Sequence, residues 1–227
     1  MSLNSDAAPY RATVDDAICR RCTVKVLSDT PIWPGAEQRA QVRAADEQIE
    51  ESIALAGWAP FHYDRRVDGV AEPWRMYVLL HESCRALGRD FEKITADMKP
   101  GNKIPKMLNA CGALVLVTWI PEESLEDNAK LEAVNSEHLA ATAAAVQNLL
   151  LALETRGLGT YWSSGGSLGS LEMFQRLGIS TLETLLAAVF VDYPVLSQRA
   201  DVERITGKNR EKRSPASRWS QRIDYSS

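Results

Sequence analysis

Arg21, Thr23 and Lys25 alternate along Arg21-Cys22-Thr23-Val24-Lys25. On an extended chain that spacing turns side chains to one face. Arginine presents a planar fork of charged donors and threonine a hydroxyl, the groups that hold a phosphate ester. Lys25, one strand step further, would set a point charge against the edge of whatever carries that phosphate. The plainer alternative is a basic helix end complementing its macrodipole.

A second segment runs Gly157-Leu158-Gly159-Thr160-Tyr161-Trp162-Ser163-Ser164-Gly165-Gly166. Glycine allows a backbone to approach a flat ring closely, with its N–H groups available as donors. The segment follows a helix, so it is not a dinucleotide fingerprint, and a long helix–strand connection would read the same way. A third segment, Arg210-Glu211-Lys212-Arg213-Ser214-Pro215, can close over a phosphate. The three together describe a flavin site. Arg21, Thr23 and the tail would take the phosphate, and Lys25 the N1/O2 edge. Backbone donors would face N5 and O4. Positive charge at N1/O2 favours the reduced ring and so lowers the barrier to hydride acceptance.

Composition limits the other readings. The 227 residues are 45% hydrophobic and 25% charged, as expected of one large soluble domain. The net charge of −4 is uneven. Residues 199–222 hold eight basic and three acidic side chains, which leaves an acidic body unsuited to nucleic acid. The opening stretch is polar and the longest apolar run is far short of a bilayer, so the cytoplasm is expected, with no membrane partner. Cys19, Cys22, Cys84 and Cys111 are too scattered for a disulfide framework. Cys19-Arg20-Arg21-Cys22 lacks a second ligand pair for zinc, and its arginines would only acidify a thiol pair. The three histidines lack metal-ligand spacing, so no metal is expected.

These residues need elements to hold them. A helix is expected from Thr13, with Thr13 and Asp16 as a capping box, followed by a strand over Thr23–Leu27. Ser28–Ala45 reads as a loop insertion carrying Trp33, and Asp46 as the cap of a helix ending at Gly57. Trp74–Leu80 reads as a strand and Glu82–Met98 as an amphipathic helix. Ala113–Ile120 and Leu185–Val191 are continuous apolar runs, as in buried strands. Ser136–Glu154, rich in alanine and leucine, is a helix apolar on most sides, closed by Gly157. Helices and strands mix without regular alternation, which implies an α+β fold.

In this order the segments resemble the nitroreductase family. That family opens with a helix ending in Arg-Arg/His-Ser-x-Arg/Lys-x-Phe, of which Arg21-Cys22-Thr23-Val24-Lys25-Val26-Leu27 looks like a conservative variant. Ala59-Pro60-Phe61 and Glu72-Pro73-Trp74-Arg75 stand where the family has Ala-Pro-Ser and Gln-Pro-Trp-Arg. Ala110-Cys111-Gly112-Ala113 loosely matches its Ala-Pro-apolar strand. The alanine-rich helix then runs into Gly-Leu-Gly-x-x-Trp, matched by Gly157 to Trp162. A basic stretch closes the pattern, and the likeness covers roughly Asp15 to Arg222. Two departures stand out. The family's asparagine before Gln-Pro-Trp is missing, and an Arg/Asp-rich insertion, His62–Ala71, occupies that region.

The resemblance implies a central, mostly antiparallel sheet flanked by helices, in an intertwined homodimer. It implies one domain over 1–227, with 1–12 flexible and 199–227 a basic C-terminal arm. Bound FMN would carry electrons from NADH or NADPH to a nitroaromatic, quinone or similar acceptor by a ping-pong mechanism. No side chain would be catalytic in its own right. Arg21, Cys22, Thr23 and Lys25 would contact the flavin, and Trp162, Ser163, Ser164 and Gly165 would line its edge, Ser164 nearest N5. Lys212 and Arg213 would hold the phosphate. Pro60, Phe61 and His62 would reach across from the other subunit. Same-fold alternatives are a reductive dehalogenase, a flavin-fragmenting enzyme, or a protein that only stores FMN.

Overall fold

The structure, a computed structural model, describes residues 14–94, 103–125 and 127–225. The expected cap at Thr13, the flexible start and the helix end at Met98 lie outside those residues. In chain order the helices are α1 (Val14–Arg20), α2 (Arg39–Ala56), α3 (His81–Ile94), α4 (Ile104–Ala110), α5 (Asn128–Thr155), α6 (Leu171–Leu177) and α7 (Pro194–Ser197). The strands are β1 (Val24–Leu27), β2 (Trp74–Leu80), β3 (Ala113–Trp119), β4 (Gly159–Ser163), β5 (Thr184–Asp192) and β6 (Glu203–Thr206).

β3 and β5, the two apolar runs, lie at the centre of an antiparallel sheet ordered β2-β3-β5-β4. Both faces of β3 are covered, so all its residues except Trp119 are buried, as continuous apolarity requires. The register of β3 against β5 shifts between Val117 and Thr118. β1 and β6 form a separate antiparallel pair, Val24 opposite Thr206 and Leu27 opposite Glu203. One core joins these pieces, from Val24 and Val26 on β1 through Leu116 and Val189 to Val202.

Several elements depart from the sequence expectation. α2 begins at Arg39, seven residues before Asp46, which therefore sits inside the helix and caps nothing. The start is set by a 3-10 turn whose Gly35 N–H donates to Gln38 Oε1 at 2.9 Å. Val42, Ala45, Ile49, Ser52 and Ala56 then form one buried stripe. The supposed insertion is thus irregular over Ser28–Gly35 but helical from Ala36 on, where its alanines and arginines are good helix formers. α4, too short to show a period, was not expected. α5 is longer than expected, 28 residues, with Asp127 as its cap accepting from the Ala129 N–H at 2.8 Å. It closes as foreseen. Gly157 adopts a φ of 74°, and the Leu158 N–H reaches the Leu153 carbonyl at 3.0 Å, a left-handed C-terminal cap.

The expectation that α5 is enclosed on all sides fails within one chain. Val134, Ala141, Ala145, Leu149 and Leu153 are buried, but Leu139 is 39% exposed and Ala140 is also exposed. The His62–Ala71 insertion is a small ordered hairpin. Asp68 and Gly69 take positive φ at its turn, Val67 pairs with Val70, and Arg65 Nη2 donates to the Pro121 carbonyl at 3.0 Å.

Candidate functional site

The first two candidate segments meet at the β4 edge of the sheet. Thr23 forms a parallel bridge with Thr160, and the Gly207 N–H donates to the Thr23 carbonyl at 2.9 Å. β1, β4 and the end of β6 therefore converge on one residue. Two glycines make this possible. A Cβ on Gly159 would lie 3.0 Å from Val24 Cβ, and one on Gly207 would lie 2.8 Å from Thr23 Cβ. Ordinary carbon contacts need about 3.5–4.0 Å, so larger residues would wedge the strands apart.

β1 alternates as its sequence implies. Val24 and Val26 enter the core, and Cys22 also packs against it. Arg21, Thr23 and Lys25 remain half-exposed. Lys25 Nζ lies 4.1 Å from the centre of the Tyr161 ring, which itself stacks near Phe190 at 6.3 Å. A cation over an aromatic face is held in place yet keeps its charge. Among the described residues, neither Arg21 nor Lys25 has a carboxylate partner, so both charges are available to an anion.

The Gly157–Gly166 segment contains a strand, β4, so it is neither a plain loop nor a mere helix–strand connection. Beyond it the chain turns sharply, with Gly165 at a φ of 83° and Gly166 at 52°. The Gly165 N–H is already bonded to Ser163 Oγ at 3.1 Å, and a Cβ there would lie 2.4 Å from Leu185 Cδ2. Ser164 is exposed, as is Trp162, while Ser163 is half-buried. Lys212 and Arg213 follow β6 through a 3-10 turn at Asn209–Lys212; both are exposed and neither is ion-paired among the described residues. β6 thus returns the basic tail to within five residues of the Thr23 contact at Gly207.

Pro60, Phe61 and His62 lie elsewhere on the chain. They border a cavity of about 500 Å³ with Glu137, Ala140 and Ala144 of α5. His62 Nδ1 is 3.5 Å from Glu137 Oε2, and Phe61 packs edge-on to Trp74 at 5.7 Å. This cavity is at the middle of α5, whereas β4 begins beyond its last residue; Ala144 to Thr155 spans about 16 Å of helix. Trp33, from the Ser28–Ala45 segment, packs edge-on to His81 at 6.4 Å. Cys19 and Cys22 are free thiols, as are Cys84 and Cys111. The sequence reading missed Tyr161 and Gly207. Tyr161 shares a strand face with Gly159 and Ser163 and alternates with Thr160 and Trp162, and Gly207 follows a β-prone triplet directly before the basic run.

A four-stranded antiparallel sheet with flanking helices, and a glycine-opened, cation-lined junction at its edge, define an α+β protein of nitroreductase-like fold. The chain belongs to the Nitroreductase family, whose sequence pattern matches residues 40–191. It is 28% identical over 153 residues to "Putative NAD(P)H nitroreductase YfhC" of Bacillus subtilis (strain 168), covering 64% of this chain and 72% of that one. A nitroreductase-like family protein from Bacillus cereus superimposes with a TM-score of 0.61 at 20% identity, over 96% of this chain and all of that one. A "putative nitroreductase" from Desulfovibrio desulfuricans, solved in complex with FMN, gives 0.57 at 16% identity, again over 96% of this chain and all of the other.

Proposed function

We propose that this chain is an FMN-dependent oxidoreductase that passes electrons from NADH or NADPH to a nitroaromatic, quinone or similarly electron-poor acceptor in two half-reactions. The observation that carries the reading is the Thr23–Thr160–Gly207 junction, which gathers unpaired cations around a backbone cleared of side chains. These residues suit the cofactor. Arg21, Thr23, Lys212 and Arg213 would hold the phosphate through charge-assisted hydrogen bonds. FMN, when bound, supplies the two-electron carrier that protein side chains lack. Lys25, fixed over Tyr161, holds positive charge where negative charge builds up on the ring edge. Because the Gly165 N–H is engaged by Ser163, the contact at N5 falls to Ser164. Trp162 supplies an exposed apolar wall.

We further infer a single-domain homodimer that works in the cytoplasm. The open side of α5 at Leu139 and Ala140 supports this, as does the separation of Pro60–His62 from the Lys25 cluster. A second copy can bring its own Pro60–His62 to the ring. Trp219, Ile223 and Tyr225 are 72%, 82% and 89% exposed, a C-terminal arm with apolar residues to bury. Among the described residues, no helix is long and apolar enough to cross a membrane.

The test is Arg213→Ala. Removing one charge-assisted hydrogen bond should weaken FMN by about ten- to a hundredfold while riboflavin, which lacks the phosphate, is nearly unaffected. Equal losses for both ligands would remove the basic tail from the site. Failure of the native protein to retain yellow absorbance after FMN loading and desalting would refute the proposal altogether.

A further inference from the structure

β2 is the edge of the sheet opposite β4, about 14 Å away across three strand spacings. Val78 and Leu80 of β2 line a cavity of about 730 Å³, within the range of small-molecule sites. None of its lining residues belongs to the proposed cofactor cradle. Trp33, Val42, Val78 and Leu80 form apolar walls. Trp33 is 45% exposed, an unusual surface position for so large a ring, and Val78 is 39% exposed.

The polar groups are divided between the two signs. Arg39 and Arg43 stand one turn apart on α2, and neither is ion-paired among the described residues. Asp46 follows on the same helix, its Oδ1 accepting from Tyr193 Oη at 2.8 Å while Oδ2 has no such donor. Tyr193 is fully buried and fixes that carboxyl in position. His81, at the start of α3, has a buried Nδ1 with no hydrogen-bond partner. Glu82 adds a second carboxylate at the rim. Burial, before any charge effect, raises the Asp46 pKa and lowers that of His81. Arg39, Arg43 and Glu82 are exposed at the rim and Asp46 is half-buried, so their charges face the cavity and are open to a ligand.

We propose that this cavity is a second ligand site, which binds a flat aromatic carboxylate carrying a hydrogen-bond donor at its far end. The carboxylate lies between Arg39 and Arg43, the ring lies against Trp33, Val42 and Leu80, and the donor meets the free oxygen of Asp46. A polyanion such as a nucleotide phosphate is disfavoured, because Asp46 and Glu82 offset both arginines. A purely apolar ligand would take water from Arg39, Arg43 and Glu82 and give them no partner in return.

The probe is 6-hydroxy-2-naphthoate, followed by its own fluorescence with the full-length, FMN-loaded protein, and compared with 6-methoxy-2-naphthoate. The hydroxyl form should bind more tightly than the methoxy form, which has no donor. Arg39→Gln and Arg43→Gln should each weaken it by about tenfold or more. Asp46→Asn should abolish the preference for hydroxyl over methoxy; the new amide oxygen still accepts from Tyr193, which protects the fold. The visible flavin spectrum and FMN content should not change. Binding insensitive to both arginine substitutions, or accompanied by a shift of the flavin band, would place the probe elsewhere and overturn the proposal. So would no binding at all, the result expected if the C-terminal segment of a second copy fills the cavity. None of these outcomes depends on turnover, so failure here leaves the oxidoreductase reading intact.

Discussion

Gly159 is where the geometry of the junction is most sharply testable. In Gly159→Ala the new Cβ meets Val24 Cβ at 3.0 Å, Cγ1 at 3.1 Å and Cγ2 at 3.2 Å. All three fall below ordinary contact distance. Val24 belongs to the core and cannot swing away, so the overlap must part β1 from β4. Overpacking of this kind costs about 2 kcal/mol, and for a chain of this size that lowers the melting temperature by about 4–8 °C. Val24→Ala alone deletes two buried methyl groups, also worth about 2 kcal/mol. In the double variant both Cγ overlaps vanish and the Cβ–Cβ overlap remains. The combined loss should therefore be about 3 kcal/mol instead of 4, a favourable coupling near 1 kcal/mol. Thermal melts of the four proteins measure it, and FMN affinity should fall and partly recover in the same order, since Thr23 and Lys25 move with β1. Strict additivity, or a Gly159→Ala variant as stable as the parent, would show that the contact with Val24 is not what demands glycine.

Three further outcomes are expected. Lys25→Met should slow anaerobic bleaching of bound flavin by NADH or NADPH at least about tenfold with FMN still bound, and an unchanged rate would remove Lys25 from the ring edge. Ala140→Glu, on the open side of α5, should convert a species of twice the 25.1 kDa chain mass into one that sediments as a monomer and loses flavin; a stable, flavin-loaded monomer would dismiss the two-subunit site. Burial, as the main cause, lowers the His138 pKa, so its proton is bound more readily once the chain unfolds. Stability should hold above the ordinary histidine range and decline as pH falls through it, less steeply in His138→Gln; parallel profiles would refute this.

What the sequence determined by itself was whatever depends on neighbours along the chain. The apolar runs of β3 and β5 had to be buried, and α5 needed Gly157 to end. The alternation of Arg21, Thr23 and Lys25 with Cys22, Val24 and Val26 sorted that strand into an open face and a core face. Those patterns carried the family resemblance and the candidate residues. Tertiary structure alone decided the rest. β4 carries three β-formers, Thr160, Tyr161 and Trp162, but glycines and serines on both sides hide them, and the ladder with β5 is what fixes the segment as a strand. α2 starts at Arg39 because Gly35 and Gln38 form a turn, a signal weaker than the prolines before it. Gly159 and Gly207 matter only because Val24 and Thr23 lie against them, contacts 135 and 184 residues apart in sequence. No local pattern records such pairs. They exist once the sheet has closed, and with them the site.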